Sequence, residues 1–292
     1  MIHFIDLTLN GVSNGMIYAA AALALVLIWR ATRIVNFAQG GMLMLTTFVS
    51  LGVISATGSY WIGFVVALAS GLVLGAVVER VLVRPVEGGP PLNAVILTLG
   101  LLIFLQGLAG MIWGATPRSF PSALSISGLE IAGHRVLLSP SDLFTIAAVL
   151  AVAIGLGVLF RRTDIGLQMR ASAFEPIVAR LQGVRVGRML TLGWALAALV
   201  GSLAGVLIAP NVFVSPTTFD QIVVFGFTAA VLGGLDSPIG AVVGGLVLGI
   251  LLSYVSGYAG SSLVTLASLL ILTCVLVVRP SGLFTRAQAR RV

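Results

Sequence analysis

Lysine is absent: all sixteen basic residues of this 292-residue chain are arginine. That excludes the G-x-x-x-x-G-K-S/T loop, whose lysine reaches the β- and γ-phosphates of a nucleotide, so the chain does not bind ATP by that route. Charge is scarce as well, with 9% charged residues against 59% hydrophobic ones, and mean hydropathy is +1.14. A chain of that composition is a membrane protein, not a soluble one. The single cysteine, Cys274, lies inside the last apolar run, so an internal disulfide is impossible and a small packing residue is expected. His3 and His134 are far apart and have no acidic or cysteine cluster beside them, so no metal site is expected. Asp6, Glu79, Glu87, Glu130, Asp142, Asp164, Glu175 and Asp220 all sit at the ends of apolar runs or in loops, and Asp236 sits in a turn. An ion-coupled secondary transporter normally carries an ionisable group within a span, and Asp236 is the one candidate for it here, so that class stands as an alternative reading; a membrane enzyme needs a clustered nucleophile, base or metal set, and the sequence has none.

What is present is a series of apolar segments of about 20 residues each, the length that crosses a bilayer. They begin with Leu7 to Trp29, expected to be a retained helix because no basic n-region or small-residue cleavage site precedes it. A second run opens at NFAQGG and extends through Ser55, followed by Trp61 to Val83, Leu92 to Trp113, Ser141 to Phe160 and Met189 to Ala209. Ile222 to Leu235 is too short to cross as a helix rising 1.5 Å per residue, so it is expected to be broken or re-entrant. Ala241 to Tyr258 and Leu263 to Val278 complete the set. The fold class is therefore an all-α integral membrane protein, a polytopic bundle of about 8–9 segments with discontinuous helices, organised as one transmembrane domain over residues 1–292. Between the fourth and fifth spans, alternation from Leu124 to Leu138 allows a short hairpin.

The net charge of +7 does not point to nucleic acid, because the arginines stand in short loops beside apolar runs, where orientation signals belong. Placing the clusters at Arg30, Arg80, Arg161 and the tail on the cytoplasmic side puts the amino terminus outside and the carboxyl terminus inside. Glycine pairs four apart, Gly11 with Gly15, Gly201 with Gly205 and Gly240 with Gly244, mark faces for close helix packing.

Two features carry chemistry. The basic stretch 161–188 between long apolar runs reads as an amphipathic cytoplasmic loop, with Ala171, Phe174, Val178 and Leu181 at spacings that share one helical side, and with Pro176 marking either a break near Glu175 or the first turn of a second short helix. It is either a plain basic connector or a docking element for a soluble partner. The polar residues within or bordering spans, Asn14, Asn36, Gln39, Thr98 and Gln106, either line a solute path or bind helices together. NFAQGG and GGLDSPIG, Gly-rich polar breaks in opposite halves, hint at a faint internal repeat around a midplane site.

Taken together, NFAQGG at Asn36, R-P-V at Arg84, T-x-G-L at Thr98, the central T-D-I-G-L-Q-M-R-A with Glu175, Ala179 and Gly183, and GGLDSPIGAVVGG at Gly233 resemble the branched-chain amino acid permease family of ABC importers, the shorter of its two permease types. The resemblance covers essentially the whole chain. It implies a bacterial inner-membrane subunit that forms the path for branched-chain or related hydrophobic amino acids, paired with a second permease, two cytoplasmic ATPase subunits that hold ATP and Mg, and a periplasmic binding protein. It makes 161–188 the coupling loop, with Arg170, Ala171, Phe174, Glu175, Val178, Ala179 and Gly183 as its contact residues. Leu167 stands where the family often has a second arginine. Close relatives in the family serve urea, short amides and aromatic acids, so those solutes are the alternative substrates.

Overall fold

The computed structural model describes residues 2–86, 89–124, 129–131, 134–136, 139–279 and 282–284. Glu87, Gly128 and the tail arginines Arg286, Arg290 and Arg291 lie outside them. Among the described residues, eight helices are long and apolar enough to span a membrane, and Asp220–Gly233 is a shorter apolar helix. The segments are α1 (Ile2–Thr32), α2 (Gln39–Thr57), α3 (Tyr60–Val78), α4 (Pro91–Trp113), α5 (Pro140–Arg162), α6 (Asp164–Phe174), α7 (Pro176–Leu181), α8 (Val186–Ile208), α9 (Asp220–Gly233), α10 (Pro238–Tyr254) and α11 (Val264–Val278). The expected hairpin is present: β1 (Leu129–Ile131) pairs antiparallel with β2 (His134–Val136).

Helix α1 is the axis of the bundle and packs against α5, α8, α9 and α10. Its run from Ala19 to Ala24 is fully buried, and five alanines, interrupted by Leu23, let neighbouring backbones approach closely. Lipid tails are as apolar as the helices, so association here depends on such close van der Waals contact rather than on burial from water. A Cβ on Gly11 would lie 2.7 Å from the Ile250 Cα, and one on Gly15 would lie 2.9 Å from the Gly245 carbonyl, so α1 meets α10 backbone to backbone. Gly240 and Gly244 do the same for α10 against α9, where an added Cβ would overlap the carbonyls of Gly233 and Ala229. Gly201 and Gly205 serve differently: they leave room for the side chains of Gln39 and Thr47.

A packing prediction follows from that contrast. Gly244→Leu is expected to lower stability in detergent by about 2–3 kcal/mol through overpacking, whereas Gly155→Leu, at an α5 position with nothing within 4 Å of an added Cβ, should leave it unchanged. Equal yield and equal thermal stability of the two variants would count against backbone-to-backbone packing of α9 and α10.

One end of the bundle collects arginine. Arg30 stacks on the Phe160 ring at 4.8 Å, and Arg33 pairs with Asp236 at 2.5 Å. There α1 ends at Thr32, and the next residue, Arg33, turns the chain back with a φ of 58° in the left-handed region, an uncommon state for a residue with a side chain. The returning segment does not begin α2 at the surface. Gln39 donates to the Ala197 carbonyl at 3.3 Å, and Ala197 is midway along α8. A second dip comes from the opposite end: after α8 the chain passes Val214, bridged to Arg118, then turns inward to a fully buried Phe219 before α9 starts. The two interruptions at depth are therefore NFAQGG and 210–219, approaching from opposite ends. GGLDSPIG, expected to form the second of the pair, instead joins α9 to α10 at the arginine end, where Asp236 meets Arg33 and the Ser237 hydroxyl caps α10 by accepting from the Gly240 N–H at 3.0 Å.

Candidate functional site

The polar residues singled out in the spans do not gather at one place. Asn36 and Gln39 are each 1% exposed, and they satisfy one another: Asn36 Nδ2 donates to Gln39 Oε1 at 3.1 Å, Asn36 Oδ1 accepts from the Ala38 N–H at 3.0 Å, and Gln39 reaches α8 as described. This is a closed network that pins the start of α2. Thr98 is equally buried and returns its hydroxyl to the Ala94 carbonyl of its own helix at 3.0 Å. Asn14 is exposed and, with Asn10, Tyr18, Ser253 and Ser256, lines a recess of about 290 Å³ where α1, α10 and the start of α11 meet.

Gln106 meets a partner that the sequence places among the acids at the ends of apolar runs or in loops. Its Nε2 donates to both carboxylate oxygens of Asp220, at 2.9 and 3.0 Å. Asp220 is the first residue of α9. Gln106 lies seven residues before the end of α4, so the pair sits roughly 10 Å below that helix end at 1.5 Å per residue. The depth arises because 210–219 folds inward, held by the Ser215–Thr218 turn, and nothing in a run of Pro, Val, Ser, Thr and Phe announces it. Gln221 extends the polar group by donating to the Thr265 hydroxyl at 2.7 Å, and Val264 beside it borders the Asn14 recess. Flanking this strip, Ile103, Phe104 and Met111 of α4 and more than half of α11 are exposed. Bare apolar faces suit lipid, but a carboxylate and amides do not, since polar groups facing hydrocarbon need replacement hydrogen bonds.

The loop 161–188 is an elbow of two short helices. Thr163 caps α6 by accepting from the Gly166 N–H at 3.1 Å, and Gly166 is required because a Cβ there would overlap the Leu159 carbonyl as α6 folds back along α5. Pro176 starts α7 as its first residue, the break expected near Glu175, and the four apolar residues are divided between two helices. Ala179 is buried with Val186 and Leu190, with Ala171 packed against them, so these two alanines hold the elbow to α8. Phe174, Ile177, Val178 and Leu181 face outward, with Phe174 at 74% and Leu181 at 83% exposure. Arg170 and Glu175 are exposed beside them. Gly183, at φ 82°, ends α7 in the left-handed region that glycine adopts without strain.

Beneath the elbow lies a cluster not foreseen from the sequence. Glu79, 1% exposed, receives two hydrogen bonds from Arg84, at 3.1 and 3.0 Å, and one from the Thr191 hydroxyl at 2.6 Å. Arg84 also donates to the Gly187 carbonyl at 2.7 Å. The pair joins the end of α3 to the first turns of α8, directly after the elbow. Its signal in the sequence was the E-R-V-L-V-R spacing, which reads equally well as an orientation signal at a span end.

Residues 7–279 match the family described as the branched-chain amino acid transport system permease component. Over 308 aligned residues the chain is 31% identical to the high-affinity branched-chain amino acid transport system permease protein LivH of Escherichia coli K12, covering all of this chain and 98% of that one. It is 26% identical over 302 residues to the corresponding protein BraD of Pseudomonas aeruginosa, covering 99% and 98%. Among solved structures, PsaBC from Streptococcus pneumoniae in complex with Fab shares the fold at TM-score 0.53 and 14% identity, covering 94% of this chain and 91% of that one.

Proposed function

The chain belongs to the branched-chain amino acid transport system permease family, and from that premise we propose that it is the cytoplasmic-membrane permease of an ATP-driven importer whose solute passes over the head of α9, between α4 and α11. The observation that carries this reading is the Gln106–Asp220 pair, a carboxylate held about 10 Å inside the bundle on an otherwise lipid-like face. An amino acid is a zwitterion. Its ammonium finds a counter-charge at Asp220, and its carboxylate finds the free N–H groups of a half-helix that starts at depth. Its aliphatic side chain lies along Ile103, Phe104 and the open face of α11. Because one chain leaves that strip uncovered, a second permease subunit closes the path across it. The arginine-rich end faces the cytoplasm by the positive-inside rule, which places the amino terminus outside. The outward apolar residues of the α6–α7 elbow dock a soluble ATPase, which supplies the nucleotide site that a chain without lysine cannot build through the G-K-S/T loop.

Asp220→Asn is expected to lower uptake of leucine-like solutes about tenfold to a hundredfold, the worth of one charge-assisted hydrogen bond of ~1.5–3 kcal/mol, while ATPase association persists. Gln106→Leu should act in the same direction. Cysteines placed at Gln106 and Gln221 in a Cys274→Ser background should react with small water-soluble thiol reagents. If they are inert in every nucleotide state and Asp220→Asn transports normally, the polar strip only binds helices together and the path lies elsewhere.

A further inference from the structure

A groove of about 900 Å³ opens sideways between α5 and α10 at the arginine end, with Arg30 of α1 also lining it. Its walls are divided by chemistry. Ala153, Ile154, Gly157, Val158, Val242 and Val243 form the part directed along the bundle, and Ile154 and Val158 are more than half exposed. Arg30, Arg161, Arg162 and Arg170 converge at the mouth. Asp236 is the acid there, and it is engaged by Arg33 at 2.5 Å. Among the described residues none of the four groove arginines has a carboxylate partner, and the contact of Arg30 is the Phe160 ring. In a transmembrane protein such a cleft borders the bilayer, its aliphatic wall at acyl-chain depth and its guanidinium groups at headgroup level, where arginine pairs phosphate through two parallel N–H donors.

We propose that this groove is a binding site for an anionic phospholipid, with its phosphate among Arg30, Arg161 and Arg162 and its acyl chains along the α5 and α10 walls. A soluble phosphate satisfies the mouth and leaves the aliphatic wall empty. A flat helix face from a second subunit meets the wall and leaves the guanidinium cluster unpaired. A two-chain anionic lipid satisfies both parts. The site lies apart from the Gln106–Asp220 strip, so it stands whether or not that strip carries solute.

The test uses the full-length chain, purified from membranes and measured by native mass spectrometry in mixed phosphatidylglycerol and phosphatidylcholine micelles. The unaltered chain should retain phosphatidylglycerol in preference to phosphatidylcholine. Arg161→Gln with Arg162→Gln should weaken that retention about thirtyfold, taking ~1 kcal/mol for each arginine at the membrane surface. Gly157→Trp fills the wall at a position with nothing within 4 Å of an added Cβ, and it should displace the lipid without unfolding the chain, as thermal stability in detergent will report. Inorganic phosphate should not compete. Equal retention of the two lipids, undiminished retention in both variants, or displacement by inorganic phosphate would each overturn the proposal, as would efficient disulfide crosslinking of Val158→Cys to a second permease subunit.

Discussion

Phe174→Ala is expected to weaken association with the proposed ATPase by about thirtyfold, close to 2 kcal/mol, as for a buried aromatic anchor. The reasoning begins with exposure. A phenylalanine at 74% exposure, next to Ile177, Val178 and an 83% exposed Leu181, forms an apolar patch on a basic elbow. The elbow itself is held firmly: Thr163 caps α6, Gly166 folds it against α5, and Ala171 and Ala179 pack toward α8. A rigid support with an open apolar tip is the form of a docking surface rather than of a slack connector, because little ordering entropy remains to oppose binding. The charged neighbours Arg170 and Glu175 lie at the rim, where single charges contribute less, so Arg170→Ala should have a smaller effect. Membrane insertion should be unchanged in both variants. Co-purification of the ATPase at wild-type ratio with Phe174→Ala and Leu181→Ala combined would refute docking through this tip, and an elbow whose tip instead enters the headgroup region would show itself by lipid-dependent fluorescence of Phe174→Trp.

Glu79→Ala is expected to cost about 3 kcal/mol of stability and to loosen the elbow, the larger of the effects described. Breaking a buried ion pair from one side leaves the surviving charge with the desolvation it already suffers and without its compensation. Here Arg84 would lose two hydrogen bonds and Thr191 one, although Arg84, with a side chain 34% exposed, can recover part of the loss from water. Removing both partners should therefore cost less than the sum of the single losses, with a coupling of at least about 1 kcal/mol in a double-mutant cycle by thermal unfolding in detergent. Because the cluster fastens α3 to the first turns of α8, Glu79→Ala should also raise protease sensitivity within 161–188. Strict additivity, with the loop no more sensitive than before, would reduce the cluster to a solvated span end.

Much of this protein was legible along the chain because hydrophobic length is a one-dimensional property. Apolar runs of about 20 residues, arginines at their ends and glycines four apart specify the spans, one side of the bundle and the close-packing faces before any contact is known. The Leu92 to Trp113 run, the hairpin around Glu130 and the incomplete length of Ile222 to Leu235 were all readable in that way. Family membership was readable too, since it rests on motifs in order.

Only the tertiary structure decided which polar groups are finished and which are available. Asn36 and Gln106 look alike in sequence, each an amide in or beside an apolar run. The first closes a network with Gln39 and α8, and the second reaches Asp220 on an open strip. That difference depends on where the 210–219 segment goes, and backbone entering a bundle from a loop leaves no periodic mark in composition. Glu79 became a buried clasp because α8 starts beside the end of α3, a long-range neighbour no local pattern names. The break at Pro176 was readable in sequence, but which residues of the elbow turned inward was set by the surface of α8: Ala179 fits against Val186 and Leu190, while the larger Phe174 and Leu181 remain outside. Spacing along the chain determines which residues share a helix, but satisfaction of a polar group and exposure of an apolar one are properties of pairs, and pairs exist only once the helices have packed.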